Sequence, residues 1–300
     1  MTCPFGQDPY FANVDAVIGF EDDVPMPGNR AVVFVCEALS DQRIMRKLFP
    51  VHRSVAEFQH VDRRDDGYLD CGTCRHPKSN RQTVINFTEN RANVYGLVDR
   101  DRPNWTVDHS NLIATDYCDI EATLFHFGQT ELISLMIEQA CQIPPGFVTQ
   151  HDLLATLDQF KKVAVSLQYC YRNFLLRSGD DTFRSLPHRL DHQDFHLSGN
   201  TTTNEYAKFF ASLYGRTDWI ESVPFADFSH TWINGHLQVY SFVYAMKHNI
   251  DLSDKFMAYN VYLPTHSRLT SIVENLLTNN EDYLRQSQMF RTAETKITKA

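Results

Sequence analysis

The sequence has no long hydrophobic run. Its longest uninterrupted apolar stretch is AVVFVC, residues 31–36, far short of the roughly 18 residues that a membrane-spanning helix needs. The first Lys or Arg is Arg30, so the N-terminus resembles neither a secretory signal nor a transit peptide. The seven cysteines are scattered and odd in number, which is typical of reduced thiols rather than of a disulfide framework. These absences predict a cytoplasmic protein with no membrane partner.

The sequence also lacks an excess of basic residues. Its formal net charge is -9, whereas a strongly basic balance would indicate nucleic-acid binding by electrostatics alone. Any contact with nucleic acid must therefore be local, and two stretches are locally basic: RHPKSNR at 75–81 and the tail from Arg285 to Lys299. There is no GxxxxGK[ST] phosphate loop and no GxSxG nucleophile elbow, so the chain carries neither a P-loop ATPase nor a serine-hydrolase signature.

Residues 30–145 alternate between strand and helix patterns. AVVFVC predicts a strand buried on both faces, and SDQRIMRKLF predicts a helix capped by Ser40. Further strands are predicted at 54–61, 93–99 and 111–115, with a polar loop or hairpin and then a helix between the first two of these. This rhythm is typical of an α/β fold with a parallel sheet.

The remaining parts of the chain have other patterns. Residues 1–29 are rich in Pro, Asp and Gly and predict an irregular lead-in. From Asp116 onward amphipathic helices dominate, among them a single helix predicted over HSRLTSIVENLLTNNEDYLRQ. We therefore expect an α/β domain at 30–145 followed by a mostly α-helical domain at 146–300, for partner docking or a substrate cleft.

Acidic residues follow three of the predicted strands. The first strand runs into Glu37, with Asp41 one helical turn later, and the third runs into Asp99 and Asp101. The fourth strand is followed by three more acids, Asp116, Asp119 and Glu121. In an open parallel sheet, ligands bind outside the carboxyl ends of the strands, so these acids are predicted to gather there.

Clustered carboxylates of this kind favour a hard cation. Mg²⁺ takes oxygen ligands and is commonly held by one or two carboxylates together with substrate phosphate. Asp99 and Asp101 lie two positions apart, so in an extended segment both side chains leave on the same face. The sequence therefore predicts a Mg²⁺ site around this DxD motif.

FVCEALSDQRIMRKLF and VYGLVDRDRP together resemble the Toprim domain of topoisomerases, primases and OLD-family nucleases. In that domain a Glu follows the first strand and a DxD follows a later one, the positions of Glu37 and of Asp99 with Asp101. Ala38 stands where the family usually has Gly. The resemblance implies a Toprim-like parallel sheet flanked by helices.

Two further segments resemble one particular group of Toprim-like proteins. TDYCDIE at 115–121 and WINGHLQVYSFVYAMKH at 232–248 are similar to motifs of Toprim-like bacterial proteins often found beside ABC- or AAA-type ATPases. The Toprim effectors of PARIS anti-phage systems belong to that family. The resemblance covers about 31–127 and 232–248, and the region 145–230 carries no motif of it.

The resemblance implies a metal-dependent endonuclease that uses Mg²⁺, with Mn²⁺ as a possible substitute, in a one-metal or two-metal site. It implies a toxic effector of abortive infection that acts on tRNA or other RNA, DNA being the alternative, under the control of a partner ATPase and with homodimers possible after release. The implied residues fall into three sets: catalytic Glu37, Asp41 and His236; metal-binding Asp99, Asp101, Asp119 and Glu121; and substrate-binding Arg43, Arg102 and Lys78.

Other interpretations of the sequence stay open beside this one. The chain could be a non-catalytic Toprim scaffold that docks an ATPase, or another Mg²⁺ enzyme with a DxD motif. A haloacid-dehalogenase-type DxDx[TV] motif is disfavoured because Pro103 occupies its last position. Cys71, Cys74 and His76 could contribute to a zinc site, but such a site needs four ligands, usually from two CxxC motifs, and the sequence has no second CxxC.

Overall fold

The computed structural model describes residues 32–50, 55–60, 68–70, 75–77, 80–89, 91–100, 109–178, 186–192, 201–215 and 233–299. Its strands are β1 Val32–Cys36, β2 Ala56–His60, β3 Tyr68–Asp70, β4 Arg75–Pro77, β5 Val94–Val98 and β6 Leu112–Ala114. Its α-helices are α1 Leu39–Leu48, α2 Asn80–Thr88, α3 Ile120–Cys141, α4 Gln150–Ser178, α5 Leu186–Asp191, α6 Thr203–Leu213, α7 Gly235–His248, α8 Ile250–Ala258, α9 His266–Thr278 and α10 Gln288–Thr298, and a 3-10 helix spans Glu281–Gln286. In these ranges no helix combines the length and the apolar character that a bilayer span requires.

Four strands form a parallel sheet in the order β2-β1-β5-β6. Helices accompany this sheet, so the predicted α/β class with a parallel sheet and flanking helices is confirmed. All five residues of β1 are buried, as expected for a central strand covered on both faces. β3 and β4 pair in the antiparallel sense, within the segment that was predicted to be a polar loop or hairpin.

The two faces of the sheet bury different side chains of β1. Val33 and Val35 belong to a buried cluster that also contains Val84 and Phe87 of α2. On the other face the ring of Phe34 stacks on Phe58 of β2, with the ring centroids 5.0 Å apart. Full burial of each such side chain contributes roughly 1.5–3 kcal/mol to stability. Because successive side chains of β1 point to opposite faces, this one short strand stabilises the packing on both faces of the sheet.

Helix α1 begins earlier than the sequence predicted. Ala38 occupies the N-cap position with extended backbone angles, so the prediction that Ser40 caps this helix is wrong. The reason is the side chain of Asp41, which accepts a hydrogen bond from the backbone N–H of Ala38 at 3.2 Å and so closes the first turn from within the helix. The buried face carries Ile44, Met45 and Leu48, the helical spacing expected from the sequence.

The chain divides into two compact units. One contains the described residues up to Ile120 together with the segment that begins at Glu281, and the other is Glu121–Asn280. The domain boundary predicted near residue 145 therefore differs from both points at which the chain passes between units. The predicted C-terminal domain also differs, because the last segment of the chain belongs to the unit that contains the sheet.

Aromatic contacts give the physical reason for this division. In the second unit Phe125 of α3 lies 5.5 Å from Phe160 and 6.2 Å from Phe242, measured between ring centroids. In the first unit Phe290 of α10 stacks on Phe49, with the centroids 4.7 Å apart. Helix α3 thus packs with the helices that follow it, whereas α10 returns to the sheet layer.

Two helices of the second unit depart from simple helical geometry or from the predicted length. Helix α3 has a break at Gln129, where φ is 40°. The single helix predicted over residues 266–286 is wrong, because α9 ends at Thr278 and a 3-10 helix begins at Glu281. Asn279 is the C-cap residue of α9, and its backbone N–H donates to the carbonyl of Asn275.

A polar cluster is buried among the helices of the second unit. The carboxylate of Asp191 accepts hydrogen bonds from the backbone N–H groups of His266 and Ser267 and from the Ser267 hydroxyl. The imidazole of His266 has its Nε2 atom 3.3 Å from Nε2 of His248 and its Nδ1 atom 3.5 Å from the Lys247 ammonium. The cluster links α5, α7 and α9.

Candidate active site

Polar side chains follow the ends of three neighbouring strands. Glu37 follows β1, Asp99 follows β5, and Thr115 and Asp116 follow β6. Because these strands are parallel and adjacent, their carboxyl ends meet at the same edge of the sheet, where open α/β sheets bind ligands. We refer to Glu37, Asp99 and Asp116 as the acid edge.

Glu37 accepts hydrogen bonds through both its side chain and its backbone carbonyl. Its Oε1 atom accepts a hydrogen bond from the backbone N–H of Asp99 at 3.0 Å and another from Nε of Arg81 at 3.1 Å. Its backbone carbonyl accepts from the side-chain amide of Asn80 at 2.7 Å. The Glu37 side chain is 15% exposed, so it is held in place and still reachable.

The donors Asn80 and Arg81 come from the start of α2. Sequence reasoning did not select either residue, although both belong to the locally basic stretch 75–81. That stretch signalled positive charge without indicating which side chain meets an acid. The structure shows that Arg81 forms an ion pair with Glu37.

Asp41, which the sequence placed among the catalytic residues, lies buried in the first turn of α1. Its Oδ2 atom accepts from the N–H of Ala38, and its Oδ1 atom accepts from the Ser40 hydroxyl at 3.2 Å. These contacts fix the turn that directly follows Glu37. Asp41 therefore has a positioning role in this structure, whatever its part in chemistry.

The ends of β5 and β6 are tied together through Thr115. Its hydroxyl accepts a hydrogen bond from the N–H of Arg100 at 3.0 Å and donates to the carbonyl of Tyr117 at 2.7 Å. The Arg100 guanidinium also donates to the carbonyl of Asp116 at 3.3 Å. These contacts fix the backbone directly after Asp99.

Asp116 holds the last helix of the chain. Its two carboxylate oxygens accept from the backbone N–H groups of Gln288 at 2.8 Å and Met289 at 3.0 Å. These are the first residues of α10, where backbone N–H groups lack partners inside the helix. Asp116 thus acts as a capping side chain for a distant segment.

The thiol of Cys36 is affected by the negative charge of the acid edge. It is the last residue of β1 and is fully buried. Burial raises the pKa of its thiol well above the ordinary value, and the neighbouring carboxylates of Asp41, Asp99 and Glu37 act in the same direction. Cys36 is therefore held as a neutral thiol beside a negatively charged site.

Three other predicted site residues lie in different settings. Asp119 is buried in the loop between β6 and α3. Glu121 lies half-buried in the first turn of α3 and belongs to the second unit. Arg43 lies on the exposed side of α1.

His236 lies in the second unit, at the start of α7. The side chain of Asn234 caps this helix by accepting from the N–H groups of His236 and Leu237. The His236 side chain is 63% exposed, and its Nδ1 atom lies 3.6 Å from a carboxylate oxygen of Glu274. The imidazole of His236 is therefore largely exposed at the start of this helix.

Five of the residues singled out from sequence, namely Lys78, Asp101, Arg102, Cys71 and Cys74, lie outside the described residues. In the ranges that the structure describes, no three His, Cys, Asp or Glu side chains converge as a metal site. Asp101, the partner of Asp99 in the DxD motif, lies outside those ranges. The donor chemistry at hand is carboxylate oxygen from Glu37 and Asp99, which suits Mg²⁺ rather than a soft metal.

Compared with models of known protein families and with curated proteins, the chain matches none.

Proposed function

We propose that this chain is a Mg²⁺-dependent Toprim-type nuclease that hydrolyses phosphodiester bonds. The observation that carries the proposal is the hydrogen bond between Glu37 and Asp99, which join the ends of two neighbouring parallel strands. The Toprim resemblance implies acids at these two places. The backbone N–H of Asp99 donates to the Glu37 carboxylate, and this contact places the two residues side by side at the strand ends.

The acids would divide the work of the site. Asp99 and Asp101 would hold Mg²⁺, or Mn²⁺ in its place, with Asp119 or Glu121 completing the ligand set. A metal ion bound there stabilises charge on phosphate oxygens and lowers the pKa of a bound water. Glu37 would accept a proton or complete the metal site, and its position is fixed by Arg81.

Other residues would bind the substrate or position the acids. Asp41 would keep the turn after Glu37 closed, through its hydrogen bond to Ala38. Arg43, Arg102 and Lys78 would contact backbone phosphates, which attract guanidinium and ammonium groups in nucleic-acid binding proteins. His236 would contact the scissile phosphate or the leaving group.

The biological role extends the same proposal. The chain resembles AriB, the Toprim effector of PARIS anti-phage systems, which favours tRNA as substrate and a toxic role in abortive infection in the cytoplasm. The sequence has no phosphate loop, so an AriA-like ABC- or AAA-type ATPase would supply control as a separate partner. Release from that partner would free the nuclease, as a monomer or as a homodimer.

The direct test is a cleavage assay with the purified full chain. Labelled pools of tRNA, other RNA and DNA are incubated with Mg²⁺, with and without the partner ATPase, and compared with reactions in EDTA. Glu37→Gln is the test variant, because glutamine keeps an oxygen that can accept from Asp99 and Arg81 while it removes the charge. We expect Mg²⁺-dependent cleavage by the wild type and its loss in this variant.

Glu57→Gln provides a matched control. Glu57 lies near the start of β2 in the same sheet, away from the carboxyl ends of the strands, so this variant should cleave as the wild type does. Equal cleavage by wild type and Glu37→Gln would refute the assignment of the site. Binding of the ATPase without any cleavage under all conditions would instead identify the chain as a non-catalytic docking module.

A further inference from the structure

A groove lined by basic residues runs along α10 toward the starts of two strands of the sheet. It has a volume of about 450 Å³ and is formed by the starts of β1 and β5 together with one face of α10. Its walls include Asn93, Tyr95, Arg291, Lys296 and Lys299, and we refer to it as the basic groove. Gln288 also lines the groove, and its backbone N–H donates to Asp116 of the acid edge at 2.8 Å, so the groove extends from that residue to the starts of the strands.

The charge of the basic groove departs from that of the chain. Three of its nine lining residues are cationic and none is acidic, in a sequence whose net charge is -9. Within the described part of the chain, no carboxylate forms an ion pair with Arg291, Lys296 or Lys299. An anion that entered the groove would therefore meet cations without having to displace an internal partner.

The positions of these cations within α10 indicate more than helix stabilisation. Lys296 and Lys299 lie at the C-terminal end, where positive charge is favourable to the helix dipole. Arg291 is the fourth residue of the helix, near the end where a cation is unfavourable to that dipole. The helix dipole therefore accounts for Lys296 and Lys299 but not for Arg291.

The groove also offers an aromatic ring and neutral donors. The Tyr95 ring is half-buried, with the Lys296 ammonium 4.7 Å from its centroid. Asn93 is exposed beside it, with a positive φ of 60° that directs the chain into β5. A volume of this size falls in the range of roughly 300–1,000 Å³ that is typical of small-molecule sites, and it exceeds what a single phosphate needs.

We propose that the basic groove binds a nucleoside polyphosphate. Arg291, Lys296 and Lys299 would contact the phosphate chain, and the Tyr95 side would face the nucleoside. Its three cations are not residues of the acid edge, so the proposal does not rest on nuclease activity. It adds a ligand that the chain would bind without a phosphate loop of its own.

The test is a binding measurement on the full-length protein with fluorescently labelled ATP in EDTA. Under these conditions no divalent ion can bridge the nucleotide to the carboxylates of the acid edge. The variant combines Arg291→Gln, Lys296→Gln and Lys299→Gln, and we expect at least about tenfold weaker binding, the factor that corresponds to about 1.4 kcal/mol. The conservative triple variant Arg291→Lys, Lys296→Arg and Lys299→Arg should retain binding.

A second triple variant controls for the change in net charge. Lys161→Gln, Lys208→Gln and Arg268→Gln remove the same three charges from exposed positions of the second unit, outside the groove lining. This control should bind labelled ATP as the wild type does. An equal loss of binding in both triple variants would show a general charge effect and would overturn the assignment.

Competition experiments identify the ligand class. Unlabelled ATP should displace the probe, tripolyphosphate should displace it more weakly, and adenosine should not displace it. Tripolyphosphate as effective as ATP would overturn the nucleoside part of the proposal. Absence of binding up to millimolar ATP, or displacement by single-stranded RNA but not by ATP, would overturn the proposal as a whole.

Discussion

The buried histidine of the second unit makes stability depend on pH in a defined way. Burial, followed by the nearby Lys247 and His248, lowers the pKa of His266 from 6.5 to about 3, against the opposing effect of Asp191. Between these two values the unfolded chain binds a proton on this imidazole and the folded chain does not. Unfolding therefore takes up a proton, and the free energy of unfolding falls as the pH falls through this window.

The magnitude follows from the two pKa values. Within the window one proton is worth about 1.4 kcal/mol per pH unit. Between pH 6 and pH 4 the His266 contribution to the free energy of unfolding should thus fall by about 2 kcal/mol. Burial acts to raise the pKa of Asp191, but hydrogen bonds from Ser267 and His266 outweigh it and lower the pKa, so the loss of stability from Asp191 comes at still lower pH.

The assay is urea unfolding followed by circular dichroism at closely spaced pH values from 7 to 4. The variant His266→Gln lacks the titrating group, so its free energy of unfolding should fall less steeply than that of the wild type, whatever its absolute stability. His151→Gln replaces an exposed histidine of α4 in the same unit and should keep the wild-type slope. Equal slopes for wild type and His266→Gln would refute the reasoning.

Three further predictions concern the acid edge. Asp99→Asn combined with Asp101→Asn should weaken Mg²⁺ binding in titration calorimetry, and unchanged binding would contradict their role as ligands. Cys36 should resist thiol reagents in the folded protein and react after denaturation, because burial raises its pKa; fast reaction of Cys36 in the folded state, located by mass spectrometry, would contradict this. Asp116→Ala should cost about 1 kcal/mol as a lost helix cap and speed hydrogen exchange in 288–298, and unchanged exchange there would contradict the capping role.

Much of the sheet layer could be predicted because its signals are local. The apolar run before Glu37 is Val-rich and longer than any other in the sequence, and it forms a strand buried on both faces. The acids could be placed for the same reason, since each follows directly on a strand pattern. The strand order then brings these acids to one edge of the sheet, because β1, β5 and β6 are neighbours.

The return of the last helix could not be predicted from such signals. Gln288 contacts Asp116 across 172 positions of sequence, and no local periodicity encodes a partner so distant. The start of α1 was misplaced for a related reason. A serine is a common cap residue, but a hydrogen bond from inside the helix, made by Asp41, fixes its start at Leu39.

The ion pair of Glu37 defines what this residue can contribute to the proposed reaction. Its Oε1 atom accepts from both Arg81 and the N–H of Asp99, and donors of this kind favour the ionised form of a carboxylate. An ionised carboxylate accepts a proton or contacts a cation, whereas a general acid has to carry a proton. The contacts therefore favour Glu37 as base or metal ligand over Glu37 as acid, with Arg81 as its positioning residue, and they assign any proton donation to another group.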